Sequence, residues 1–486
     1  MFSPQSYQME TFEPDNNSKN AIRMSDLSDN DDNNVNQESV DNIYRTEDFN
    51  INNSHSSNSE SKITYFGIKG NSILSGVLNI SASAIGAGCF TFPWIISSLG
   101  IFFSFFIFTI VTLCIYYSLD LLRHFVVDTK NFSFSLMTEN TLGKKWLMVY
   151  SFSSFVYYLS ININYLNLLY SIFKSLFFTS SSSIFYGFIF LLISCNIEIF
   201  LCIYTSKTAK MHLLSIITML TFSFILFVTI IKGIYSCFAH DYPKFRTENL
   251  FYPSEEKSGW LLFFFSITAC IKYIYGYSYH SSFPTLLGNL RNINDTTSKK
   301  VHKLSFGIIC GSYILIAFFG YLIDDPVPKV LFRKYQDSNE NDFITVTLKI
   351  VIFVFLFSLI PSRYITIRDG YTSLIGKKKL TYKKDLMITT LSLFLSNVIV
   401  FLNEEIINDD SSIQIDIFTI FVNIFGGLFG VIICFGLPVI NYAAINGKKK
   451  IKSIIGYVIT GIFVIVGLLS VGYAFYEMFS PEEEKE

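Results

Sequence analysis

The chain has 486 residues, 51% of them apolar and 51 of them Phe, with a formal net charge of −1. Uncharged runs near the roughly 20 residues that a bilayer core requires recur along it, which excludes an ordinary soluble protein and implies a polytopic membrane protein. The near-neutral total hides a segregation, because residues 1–60 carry twelve acidic and three basic residues.

That acidic stretch ("DNDDNNVNQESVDN") is rich in Asn, Ser and Asp and poor in apolar residues, so residues 1–66 are expected to form a disordered cytosolic tail. It holds no apolar core of the kind a cleavable signal peptide needs. Residues 67–480 then form the membrane domain, in which eleven spans are expected: about 72–96, 98–122, 146–173, 184–204, 211–235, 259–283, 303–323, 343–362, 385–403, 415–441 and 454–478. Lys and Arg concentrate in the connections 123–145, 205–210, 284–302, 363–384 and 442–453, with Arg363 counted as the first basic residue of the fourth. The segment "EEIINDDSSIQ" (404–414) on the other side has none. Positive charge collects on the cytosolic side, so this asymmetry places the N-terminus in the cytosol. The same basic runs serve as topology determinants and give no reason to expect nucleic-acid binding.

The first span contains "SASAIGAGCFTFPW" (81–94), with Gly86, Gly88 and Pro93 where a continuous helix should be strongest. The sixth repeats the anomaly in "CIKYIYGYSYHSSFP" (270–284), with Gly276, His280 and Pro284. Gly also lines close helix crossings, which is the plainer reading of either motif alone. Paired interruptions at the heads of two five-helix units, however, are the sequence mark of a secondary-transporter site. Freed amides at Ile85, Gly86, Ala87 and Gly88 would then meet a carboxylate.

Polar residues inside other spans are candidates of lower specificity. His280 can carry a proton or orient a substrate. Lys272 lies midway through the sixth span and should pair or face a cavity, with Asn162, Asn164, Asn167 or Glu198 as partners. Glu198 has the depth of a proton-relay carboxylate, while Lys349 sits near enough to the surface to snorkel. Asp120 and Arg123 are spaced as a local ion pair, and "GGLFG" (426–430) reads as a packing surface. The eight Cys form no CxxC or Cys/His cluster, and no P-loop, GxSxG or HExxH occurs, so neither a metal, a cofactor nor an enzymatic activity is expected.

At these residues the chain resembles the amino acid/auxin permease family of the amino acid–polyamine–organocation superfamily. Asn79, Gly86, Gly88 and Pro93 match that family's first-helix signature, and "YSYHSSFPTLLGNL" (277–290) is similar to the sixth helix of vacuolar and vesicular members. "FFGYLI" (318–323) and "VNIFGGLFGVIICFGLPVINY" (422–442) look like the seventh and tenth helices. The resemblance implies an all-α LeuT-like 5+5 inverted repeat with eleven helices, moving amino acids by alternating access. Ile85, Gly86, Ala87 and Gly88 would hold the substrate carboxylate and amine, with Gly276, Tyr277, Tyr279 and His280 on the other side. The family's cation site between helices one and eight finds only a loose match in Ser358 and Ser362, which favours H+ over Na+ coupling through His280, Lys272 or Glu198. Gly288 departs from the polar or acidic residue common there. The relation to vacuolar members favours an acidic internal organelle, and the Asn-, Ile-, Phe- and Lys-heavy composition fits apicomplexan members. An amino acid-sensing receptor that signals through the acidic tail is the alternative from another class, and a channel is a third.

Overall fold

The computed structural model describes residues 64–65, 68–69, 72–177, 184–204, 208–239, 259–290, 293–323, 327–332, 343–375, 382–403 and 421–479. The expected tail, apart from Thr64 and Tyr65, and the segment 404–414 lie outside them. Every described residue belongs to one unit, His55–Glu486. Apart from a two-residue antiparallel ladder (Thr64–Tyr65 with Ile68–Lys69), the described structure is helical.

The first expected span is two helices, α1 (Ile73–Ala84) and α2 (Phe92–Leu99), joined through a tight 3₁₀ turn at Ala87–Thr91. Ser72 caps α1 by accepting from the Ser75 N–H at 3.1 Å. Pro93 opens α2 at its first turn, where a missing N–H costs nothing, so the proline starts the second half of the span. Gly100, at φ 82°, then turns the chain into α3 (Ile101–Thr129), a backbone angle that a side chain resists. A short α4 (Phe134–Leu142) leads into α5 (Lys144–Phe177), followed by α6 (Ile184–Tyr204) and α7 (Thr208–Ala239).

The second half starts in the same way. Helix α8 (Gly259–Gly276) stops mid-span and resumes as α9 (Phe283–Gly288), again with proline in the first turn. Helices α10 (Asp295–Ile323), α11 (Phe343–Leu374) and α12 (Tyr382–Leu402) follow. Next comes a segment wound more widely than an α-helix (Val422–Gly430 and Ile432–Gly436) that runs into α13 (Leu437–Asn446). The last element is α14 (Ile451–Phe479). Among the described residues, eight helices are long and apolar enough to cross a membrane, or nine when the bent α1–α2 pair counts as one span.

Large apolar side chains such as Phe106, Leu113, Phe227 and Ile465 are exposed on the outside of the bundle, where lipid would cover them. The interior is closed by α5 against α11, and by α10 against α7, α1 and α2. The "GGLFG" segment packs as its sequence implies. A Cβ at Gly427 would sit 2.8 Å from the Gly467 carbonyl of α14, so the two backbones meet directly. The Asp120–Arg123 pair is present at 2.9 Å, and the same guanidinium reaches Asp295 at 2.5 Å, joining the end of α3 to the start of α10.

Two expectations are corrected. Arg363 does not begin a loop: α11 continues to Leu374, carried by buried Ile360, Tyr364, Ile367 and Tyr371 at helical spacing. Lys349 is 3% exposed and packed inside, so it does not snorkel outward. Its flanking residues are apolar, and only the fold reveals which face of the helix is covered.

Candidate functional site

The two interrupted helices meet. At the first break, Ile85 and Gly86 are extended (φ −68°, ψ 108° and φ −129°, ψ 177°), and the axis bends by 51°. The Ile85 N–H still closes the helix onto Ser81 at 2.8 Å, and the next such bond is Cys89 N–H to Gly86 at 3.4 Å. Between them, the amides of Gly86, Ala87 and Gly88 donate to no backbone carbonyl among the described residues. Three N–H groups are thus left together at the start of a helical turn. The extended angles of Gly86 suit any residue. What requires glycine is space, because a Cβ there would collide with the Tyr165 hydroxyl and lie 3.2 Å from Arg363 Nη2.

At the second break, α8 ends at Gly276. Tyr277 donates its N–H to Ile274 at 3.0 Å, Tyr279 to Tyr277 at 2.8 Å, and helix resumes at Phe283. A Cβ on Gly88 would lie 3.2 Å from the Gly276 Cα, so the two breaks touch backbone to backbone. The Tyr313 hydroxyl of α10 lies 2.9 Å from the Ala84 carbonyl and 2.6 Å from the Gly276 carbonyl. These close α1 and α8, and one O–H serves them in alternation. Tyr313 therefore pins both half-helices from a third element, a role that nothing in its local sequence announces.

Arg363 stands on the opposite wall. It is 2% exposed and donates from Nη1 to the Ser278 carbonyl in the second break at 2.5 Å. Its Nε and Nη2 meet no carbonyl or carboxylate among the described residues, and the Tyr165 hydroxyl is the polar group beside them. Helix α5 supplies the amide-rich face seen in the sequence. Asn164 donates to the Tyr275 hydroxyl at 2.8 Å, while both polar atoms of Asn162 and the hydroxyl of Tyr157 are buried without partners and the Tyr158 hydroxyl lies beside Ser281. Buried polar groups are normally paired, so their concentration along one face marks a region built to receive polar atoms.

The other sequence candidates divide. His280 lies in the second break, wholly buried, its ring beside the Tyr277 backbone. His302 of α10 is equally buried and stacks on Tyr116 at 4.7 Å, a second interior imidazole that sequence reading passed over. Tyr279 is buried with an unpartnered hydroxyl. Tyr277 points to α3, its hydroxyl 3.1 Å from Thr112 Oγ1 and its ring against Tyr313. Lys272 is buried with Nζ 4.0 Å above the Trp94 ring, a cation–π contact. Glu198 accepts from Asn397 Nδ2 of α12 at 3.1 Å. Ser358 faces α7, 2.8 Å from the Thr218 hydroxyl. The structure therefore gathers Ile85–Gly88, Gly276 and the Tyr277–His280 segment, and sets Glu198 and Ser358 on other helix contacts.

Paired broken helices inside an all-helical bundle define the LeuT-like transporter fold. The chain is similar to the manganese transporter of Eremococcus coleocola at TM-score 0.57 and 11% identity, over 89% of this chain and 94% of that one. It is also similar to MhsT, solved in complex with L-phenylalanine, at TM-score 0.54 and 15% identity, over 84% and 99%. The family model described as "Transmembrane amino acid transporter protein" matches residues 69–480, and the chain belongs to that family. It is a multi-pass membrane transporter of amino acids and not an enzyme.

Proposed function

We propose that the chain is a proton-coupled secondary transporter that binds an amino acid zwitterion between its two broken helices and exposes it to the two membrane sides in turn. The observation that carries this reading is the contact of Gly88 with Gly276 beside the unbonded amides of Gly86, Ala87 and Gly88. Those amides would receive the substrate carboxylate, and the dipole of the following turn favours the same anion. The Ile85 carbonyl and the second break would face the amino group. The L-phenylalanine bound in the structurally similar MhsT supports a fold suited to such a ligand.

Polar ties group the helices in a way that suits a rocking motion. Tyr273 joins α8 to Ser104 of α3 at 2.7 Å, Tyr277 joins the second break to α3, Tyr313 holds α1 and α8, and Arg123 links α3 to α10. A second set joins α5, α6, α11 and α12 through Tyr150–Asp369, Glu198–Asn397 and Arg368–Asp385, the last at 3.0 Å. Between the sets run Asn164–Tyr275 and Arg363–Ser278, both at the site. A ligand bound there bears directly on contacts between the groups that would move. His280, buried in the second break, is the proton carrier in this scheme. The N-terminus lies in the cytosol and the protein resides in an acidic internal organelle.

The test is uptake of a labelled amino acid panel into proteoliposomes without sodium, with and without an imposed pH gradient. Accumulation driven by the gradient is expected. Binding without accumulation would replace this reading with that of a receptor.

A further inference from the structure

We infer that Arg363 selects amino acids bearing a second carboxylate, so that the favoured substrates are acidic; this rests on the substrate site proposed above. Three observations converge on it. Arg363 is 2% exposed, about two-thirds of the way along a membrane-crossing helix. Among the described residues it forms no ion pair, although Arg123 and Arg368 each hold an aspartate. Asp369, six residues further along the same helix, is instead engaged by Ser135 at 3.1 Å and Tyr150 at 3.4 Å.

A buried guanidinium without a counter-charge is costly and calls for an anion. A neutral zwitterion brings one charge of each sign and leaves that cation uncompensated. An acidic amino acid brings one further negative charge and makes the occupied site neutral.

The geometry of the free nitrogens specifies the anion. Nη1 is used on the Ser278 carbonyl, which leaves Nε and Nη2 with no charged partner and only the Tyr165 hydroxyl beside them. Those two nitrogens share one edge of the planar guanidinium, and their parallel N–H bonds match the two oxygens of a carboxylate. Nη2 borders the first break, 3.2 Å from where a Gly86 Cβ would stand. The three free amides of that break suffice for the α-carboxylate, so the guanidinium edge is available to a carboxylate on the side chain.

The experiment compares uptake of labelled glutamate and aspartate with that of their near-isosteric amides, glutamine and asparagine, and with leucine, using the full chain in proteoliposomes. Wild-type protein should prefer each acid over its amide by about tenfold or more, since a buried donor pair left unmatched costs at least that much. Arg363→Gln should erase that ratio, and Arg363→Lys should keep only part of it, because it retains the charge without the bidentate edge. Wild-type uptake of the amides or leucine as fast as the acids would overturn the inference without requiring any variant to fold. So would Arg363→Gln lowering acid and amide uptake equally, which would assign the guanidinium to the α-carboxylate or to Ser278 alone. Failure of every amino acid to bind or accumulate would instead remove the proposed site itself.

Discussion

Two glycine-rich stretches, "AIGAG" at 84–88 and "GGLFG" at 426–430, look alike in sequence and behave oppositely. At the first the helix ends, the chain runs extended for two residues and the axis bends by 51°. At the second the winding widens without stopping, and Gly427 lies against the Gly467 carbonyl of α14. Glycine permits both outcomes and dictates neither. The difference lies in what surrounds each stretch. Around the first stand hydroxyl and guanidinium groups of Tyr313, Tyr165 and Arg363, which meet exposed backbone. Around Gly427 stand another helix backbone and Val471, and around Gly426 and Gly430 stand Ile271 and the Tyr275 and Tyr157 rings, which fill space beside a helix that continues. Free backbone groups inside a membrane survive where protein or cavity receives them, so the break is a property of the neighbours as much as of Gly86.

Substitutions at the two stretches should therefore fail in different ways. The largest effect is expected for Gly86→Leu, which drives a side chain into Tyr165 and Arg363: uptake should fall by about a hundredfold or more, from an overpacking cost of roughly 3 kcal/mol, while the protein still reaches the membrane. Normal uptake in that variant would show that the break is incidental packing. Gly427→Leu should instead lower thermal stability, by about 1–3 kcal/mol as two backbones are pushed apart, with uptake per folded molecule retained. Equal loss of transport and stability at both positions would erase the distinction.

Tyr313→Phe is the next test in order of size. It removes the donor shared by the Ala84 and Gly276 carbonyls, and about a tenfold loss of transport is expected for a buried acceptor left unpaired. An unchanged rate would mean that the half-helix ends need no third-element support. His280→Ala should flatten the rise in uptake that accompanies acidification on the substrate side. A pH profile like that of the wild type would reduce this histidine to packing. The smallest effect belongs to Gly461→Ala in α14, where an added Cβ meets nothing within 4 Å. Stability should hold or rise by up to about 1 kcal/mol, the helix-propensity gain of Ala over Gly, separating glycines that carry contacts from those that carry none.

The sequence by itself determined the class of protein, the rough place of each span and the interruption of the first and sixth. These are local matters: apolar length is set by membrane thickness, and Gly and Pro act on their own backbone. It also marked Asn162, Asn164 and Asn167 as facing protein, since amides in lipid are costly. Only the tertiary structure decided that Gly88 meets Gly276, that Tyr313 spans both half-helices and that Glu198 pairs with Asn397 of α12. These pairings join residues far apart in the chain, and no periodicity encodes them. Arg363 shows the boundary most plainly. By charge it read as the start of a cytosolic loop, although the spacing of Ile360, Tyr364, Ile367 and Tyr371 already carried the helix past it. That the helix continues was legible in the pattern. That its arginine turns inward, to a carbonyl exposed by a break on another helix, follows from packing alone.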